Sequence, residues 1–166
     1  MQTWSDFASV EPQVTSREEP TSGIVVGIDD SLSSQHVLRW AVEEARLRGA
    51  TLCVVSAWEF PFAPAADAPS DGNDDGDPLP RVPSLEQSAL EELAAAVTHA
   101  GGDPNDAAVS MHVVRGSPVR VLLDAAKDAD LLVVGSRGRG GFTGLLLGSV
   151  SRDCARRAPC PVVVVR

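Results

Sequence analysis

The chain has 166 residues, a hydrophobic fraction of 43% and a formal net charge of −9 at pH 7. That is the size and make-up of one globular domain with a sizeable core. The acidic balance excludes the broad basic face that general nucleic-acid binding needs, and aliphatic runs of only a few residues exclude a membrane span.

Met1-Gln2-Thr3-Trp4-Ser5-Asp6 contains no basic region leading into an apolar run, so no secretory signal is expected. Cys53, Cys154 and Cys160 are odd in number and include no Cys-x-x-Cys pair. This favours reduced thiols over disulfides or structural zinc, and the cytoplasm as the compartment. Charge is concentrated in two segments. Residues 1–20 hold Asp6, Glu11, Glu18 and Glu19 against Arg17, and residues 59–83 hold Glu59, Asp67, Asp71, Asp74, Asp75 and Asp77 against Arg81. The expectation is a disordered acidic tail at 1–22 and a mobile Pro/Asp-rich loop at 59–83, within a domain spanning 23–166.

The predicted elements alternate along the chain. Gly23–Ile28 is a β-rich run ending at Asp29-Asp30. Ser31 or Ser33 caps a helix in which Val37, Leu38, Ala41, Val42 and Ala45 form an apolar stripe, and Gly49 stops it. Thr51–Trp58 is a second strand, leading into the acidic loop. Ser84 and Gln87 form a capping box for a helix with Leu90, Leu93, Ala94 and Val97 inward, closed by Gly101-Gly102. Residues 108–115 are the third strand, and Gly116-Ser117-Pro118 turns into a helix capped by Ser117 with Pro118 at its first position. Val119, Leu122, Leu123 and Ala126 form its core face. A fourth strand at 131–134, a glycine-rich stretch, a helix from about Ser149 to Arg157 and a strand at Val162–Val165 complete the chain.

Strands alternating with amphipathic helices imply right-handed βαβ units and a doubly wound, five-stranded parallel sheet covered on both faces. With strand order 3-2-1-4-5, the first and fourth strands flank the point where the order reverses, where ligands bind in such folds. Asp29 ends the first of these strands and Gly135 ends the fourth. From Gly135 the chain reads Gly-Ser-Arg-Gly, and nine residues separate Gly138 from Gly148-Ser149. Glycines allow backbone N–H groups to approach an anion, and Ser149 is placed to cap a helix whose amides and dipole face it. The stretch lacks the Lys-Ser/Thr of a Walker A loop and is spaced more widely than a dinucleotide fingerprint.

Gly27-Ile28-Asp29-Asp30-Ser31, Val55-Ser56-Ala57-Trp58, Gly116-Ser117-Pro118, residues 129–138 and residues 148–162 together resemble the universal stress protein family. The likeness covers residues 23–166, and the G-x2-G-x9-G-[ST] spacing is that of its ATP-binding members. The resemblance implies a Rossmann-like, adenine nucleotide alpha hydrolase-like fold that binds ATP. It places Asp29 at the adenine or ribose end, offers the backbone of Ala57 to the adenine edge and sets Gly135 near the ribose. Gly138, Gly148 and Ser149 would hold the phosphates, with Val150 and Ser151 beside them. The acidic tail and the insertion at 59–83 depart from the family pattern and bear on how open the site is.

Several of these residues have a second reading. Asp29 either faces the ligand or caps the first helix, and both roles are compatible. Ser149 and Ser151 serve phosphate or only the helix end. Arg137 and Arg139 neutralise phosphate or are solvated loop charges. Trp40 and Trp58 read as packing, and His36, His99 and His112 lack metal-ligand spacing. The favoured function is a nucleotide-binding regulatory module of the stress response that is not an enzyme. The alternative is a weak ATP hydrolase or phosphotransferase using Asp29 and Asp30 with Mg, because residues 137–151 contain no acid or histidine. A receiver-domain reading fails, since the third strand ends without an acceptor Asp. The valines of Val162–Val165 form an adhesive sheet edge, predicting a homodimer through that strand, as the family resemblance also implies.

Overall fold

A computed structural model describes residues 23–58, 82–138 and 146–166. The expected tail, nearly all of the expected acidic loop and the middle of the glycine stretch, including Arg139, lie outside the described residues. The elements are β1 (Gly23–Ile28), α1 (Leu32–Arg48), β2 (Thr51–Trp58), α2 (Val82–His99), β3 (Val109–Arg115), α3 (Pro118–Ala125), β4 (Leu131–Gly135), α4 (Ser149–Arg157) and β5 (Val162–Val165). A short 3-10 turn, Ala126–Asp128, follows α3.

All strands pair in parallel, in the order β3-β2-β1-β4-β5. Val26 of β1 lies opposite Val54 of β2 and Val133 of β4, so the central strands are in step. The two-residue period of each strand then sorts its side chains into two cores. Ile24, Val26, Leu52, Val54, Leu131 and Val133 face α1 and α2, where Val37, Leu38, Ala41, Leu93 and Val97 meet them. Val25, Val55, Ala57, Leu132 and Val134 face α3 and α4. Burial on both faces explains why these strands read as unbroken apolar runs.

The α1 stripe is buried as its spacing predicts. Gly49 adopts φ +62° and ends the helix, while the Ala50 N–H closes back on the Ala45 carbonyl at 2.9 Å. Two local expectations are corrected. First, α2 begins at Val82, so Ser84 lies inside its first turn and is not the cap. Pro83 is compatible with that turn because the amide it lacks would have no helical partner there. Second, the buried face of α3 is Val121, Leu122 and Ala125, continued by Ala126, while Val119 and Leu123 are half-buried. This helix is apolar over much of its girth, so periodicity allowed more than one stripe.

Its rotation is set from outside, by Gly27. A Cβ on Gly27 would stand 2.7 Å from both methyl groups of Leu122, so the bare glycine is what admits Leu122 onto β1. Burial pushes all three cysteine thiols upward, Cys154 to about 11, with Asp153 adding to the effect and Arg157 opposing it. All three are free and protonated at neutral pH, as packing groups would be.

Gly27→Val should destabilise the fold by about 1–3 kcal/mol through overpacking against Leu122, read as a lower urea midpoint. An unchanged midpoint would show that α3 slides freely over β1. His112, half-buried on β3, is held below its ordinary value of 6.5 by burial. The unfolded chain therefore binds the proton more readily. The stability this residue contributes is complete above 6.5 and is lost as pH falls through its lower folded value. Urea titrations between pH 7 and 5 should show a decline that His112→Gln reduces, and an equal decline in both proteins would contradict the assignment.

Candidate functional site

A cavity of about 510 Å³ opens beyond the carboxyl ends of β1, β2 and β4. Gly27, Ile28, Val55, Ala57 and Val134 come from the strands, and Pro118 and Leu122 close one side from α3. The opposite end is backbone-rich, formed by Gly135, Arg137 and Gly138 and by the first turn of α4. Its two halves therefore differ in chemistry, one an apolar slot and the other a set of peptide groups with Arg137 and Arg152 beside them. Asp29, Ala57, Gly135, Arg137, Gly138, Gly148, Ser149, Val150 and Ser151 all line this one cavity. Asp30 is exposed and is not on its wall.

Asp29 follows β1 and organises the turn into α1. Its Oδ1 accepts the Ser31 N–H at 3.0 Å and the hydroxyls of Ser31 and Ser34 at 2.5 and 2.6 Å. The Asp29 N–H donates in turn to Ser34 Oγ at 3.0 Å. Ser31 is the N-cap of α1, yet its hydroxyl turns to Asp29 and to the Ser33 and Ser34 hydroxyls, at 2.9 and 3.3 Å, and caps no backbone amide of the helix. Asp29 is thus neither cap nor spectator, because its second oxygen lies against the glycine loop. A Cβ on Gly138 would collide with Asp29 Oδ2, so only glycine permits this approach of loop and carboxylate.

The two ends of the loop are tied together through Ser136. Its N–H donates to the Val165 carbonyl at 2.7 Å, and its carbonyl accepts the Gly148 N–H at 2.7 Å. The same carbonyl lies 3.1 Å from the hydroxyl of Ser151, which is 2% exposed and also within 3.1 Å of the Gly148 carbonyl. Ser33 Oγ reaches the Arg137 carbonyl at 3.4 Å. The expected roles at this helix start are corrected accordingly. Gly148 is the N-cap in extended conformation, Ser149 is the first helical residue, and the Gly148 N–H is engaged by Ser136. Ser151 is a buried latch. The helical ladder begins with Arg152 N–H on the Gly148 carbonyl, so the N–H groups of Ser149, Val150 and Ser151 precede it. Three such donors at the positive end of a helix dipole suit an anion.

Sequence reasoning assigned no site role to Ser34, Leu122 or Arg152, which also line the cavity, Leu122 having been read as core alone. Arg152 was accessible to it in principle. It stands three positions after Ser149, the spacing that puts two side chains on the same side of a helix.

The sequence profile of the universal stress protein family matches residues 22–166. A universal stress protein of Mycolicibacterium smegmatis is 38% identical over 146 residues, covering 86% of this chain and 45% of that protein. One from Mycobacterium tuberculosis is 37% identical over 147 residues, covering 86% of this chain and 47% of its own. The chain thus spans about half the length of these relatives. The crystal structure of a universal stress protein in complex with cAMP superposes with a TM-score of 0.61 at 27% identity, covering 89% of this chain and 98% of that one. The Archaeoglobus fulgidus protein in complex with dAMP gives 0.56 at 26% identity, covering 87% and 98%. With its sheet order, crossover pattern and matched residues, this chain belongs to the universal stress protein family.

Proposed function

We propose that the domain binds ATP in the cavity between the ends of β1 and β4 and acts as a nucleotide-dependent regulatory module of the stress response. The adenine occupies the apolar slot beside Val55, Ala57 and Leu122. The phosphates lie over the amides of Ser149, Val150 and Ser151, flanked by Gly138 and Arg137. One observation carries the reading: the apolar slot and the three first-turn amides are opposite ends of a single cavity at the switch point of the sheet. The cAMP and dAMP complexes of two relatives lend it support.

The rival reading is a hydrolase or phosphotransferase. Such chemistry needs an acid to hold a metal and a group to orient the nucleophile. Among the described residues of the cavity wall, Asp29 is the one carboxylate and there is no histidine. Its Oδ1 is taken up by Ser31 and Ser34. No described group of three acids, histidines or cysteines fits a metal ion. Mg would therefore arrive on the phosphates, with Asp29 Oδ2 as its nearest carboxylate help. This arrangement favours a sensor over an enzyme, and the reduced thiols suit the cytoplasm.

Gly148→Asp should reduce ATP binding by calorimetry by at least about a hundredfold, since a carboxylate would stand where the phosphates gather. Ser149→Ala should cost about 1 kcal/mol or less, because Ser149 is not the cap and its amide survives the change. Undiminished affinity in Gly148→Asp would place the phosphates elsewhere.

Assembly follows from β5. Among the described strands it pairs only with β4, and its valines already pack on both cores. The carbonyls of Pro161 and Val165 turn toward β4, so by strand alternation the peptide groups of Val162 and Val164 face outward. Antiparallel pairing of two copies across a two-fold axis would satisfy them and give a homodimer. Val164→Pro removes an outward donor and leaves the ladder to β4 intact. Light scattering should show a dimer for the original protein and a monomer for this variant, and a dimer in both would count against the strand.

A further inference from the structure

The apolar end of the cavity is walled by Ile28, Val55, Ala57 and Val134 from the sheet and by Pro118 and Leu122 from α3. None of these side chains can donate or accept a hydrogen bond, so what they select, they select by shape. Leu122 is held firmly in that wall. It is 4% exposed and belongs to the core between the sheet and the α3 and α4 helices. Both of its methyl groups lie 2.7 Å from where a Gly27 Cβ would stand, and its Cγ lies 3.3 Å away, so not even one methyl group fits between them. A leucine backed this closely by β1 has no room to retreat toward the sheet when a wider ligand enters. The start of α3 is tied down as well. The Gly116 N–H donates to the Trp58 carbonyl at the end of β2 at 2.9 Å, and the Val121 N–H closes the first helical turn on the Ser117 carbonyl, also at 2.9 Å. Pro118 and Leu122 stand four positions apart on one side of this anchored helix and form one wall.

We propose that Leu122, backed by Gly27, is the specificity-determining residue of the base end. It gauges the slot to an unsubstituted base and turns away nucleotides whose base carries a bulky group on the side facing α3. The inference rests on the nucleotide reading of this cavity and deepens it, from a site for a nucleotide to a site that rejects base-substituted ones. Gly27 and Leu122 act as a pair. A side chain on Gly27 would push Leu122 toward the open space beside it, which is the slot, and a shorter residue in place of Leu122 would lengthen the slot toward β1.

Calorimetry on the full chain tests this with ATP and three analogues, one carrying a benzyl group on the exocyclic amine and the others a phenyl group on one or other C–H carbon of the base. At least one analogue should bind the original protein about tenfold or more weakly than ATP, the scale of a steric mismatch in an apolar pocket. That analogue should recover most of the difference in Leu122→Ala and part of it in Leu122→Val, the milder change to the core. Gly27→Ala should weaken ATP more than inorganic triphosphate, and adding Leu122→Ala to it should restore ATP binding. A role in stability alone would move ATP and its analogues by one common factor and leave their ratio fixed. The gauge is overturned if the original protein takes all three analogues as well as it takes ATP. It is equally overturned if neither leucine variant changes the ratio of analogue to ATP affinity while ATP still binds. If the original protein binds neither ATP nor any analogue, the nucleotide reading itself falls and the gauge falls with it.

Discussion

The carbonyl of Ser136 receives two hydrogen bonds, from the Gly148 N–H and the Ser151 hydroxyl, while its own N–H is held by Val165. One residue therefore joins the end of β4, the end of β5 and the start of α4. The connection matters because a parallel strand and its following helix have no ladder in common. Without such a latch, the helix start could drift relative to the sheet. With it, the free amides of the α4 first turn are fixed over the switch point, where the strand ends leave a crevice. Ser151 is buried for this purpose, and a buried hydroxyl is tolerable only because it has acceptors.

Two close approaches complete the site. Gly27 lets Leu122 settle on β1, which sets the rotation of α3 and so the shape of the apolar slot. Gly138 lets the loop lie against Asp29, whose other oxygen is anchored by Ser31 and Ser34. Each glycine is required by what a side chain would strike. Neither has a positive φ; those in the described chain with one are Gly49, Gly101 and Gly116, away from the phosphate end. The site is thus assembled by contact between elements, on a sheet whose two cores are already full.

Much of this was legible in the residues. Strand and helix placement follow from alternating apolar patterns and the handedness of βαβ units. The order 3-2-1-4-5, which sets Asp29 and Gly135 across the reversal point, was an added condition that the sheet bears out. The hidden parts were those decided between elements. Ser149 looked like the cap because serine prefers that place, but the loop closes through Ser136 and hands the position to Gly148. The face of α3 could not be chosen between its adjoining apolar stripes, which Arg120 and Asp124 bound on one side only, since the deciding contact is with the distant Gly27. Ser84 misled for a related reason, a capping pattern that starts two residues inside a helix beginning at Val82, with Pro83 also in its first turn.

We propose that the phosphates rest on the amides of Ser149, Val150 and Ser151, at a helix start anchored to the Ser136 carbonyl through the Gly148 N–H and the Ser151 hydroxyl. The most direct measurement is amide NMR of the nitrogen-15-labelled protein as ATP is added. The largest shifts are expected at Ser149, Val150 and Ser151, with Gly148 moving less because its N–H stays on Ser136. If those three amides remain still while ATP binds, or ATP shifts no amide at all, the account is contradicted.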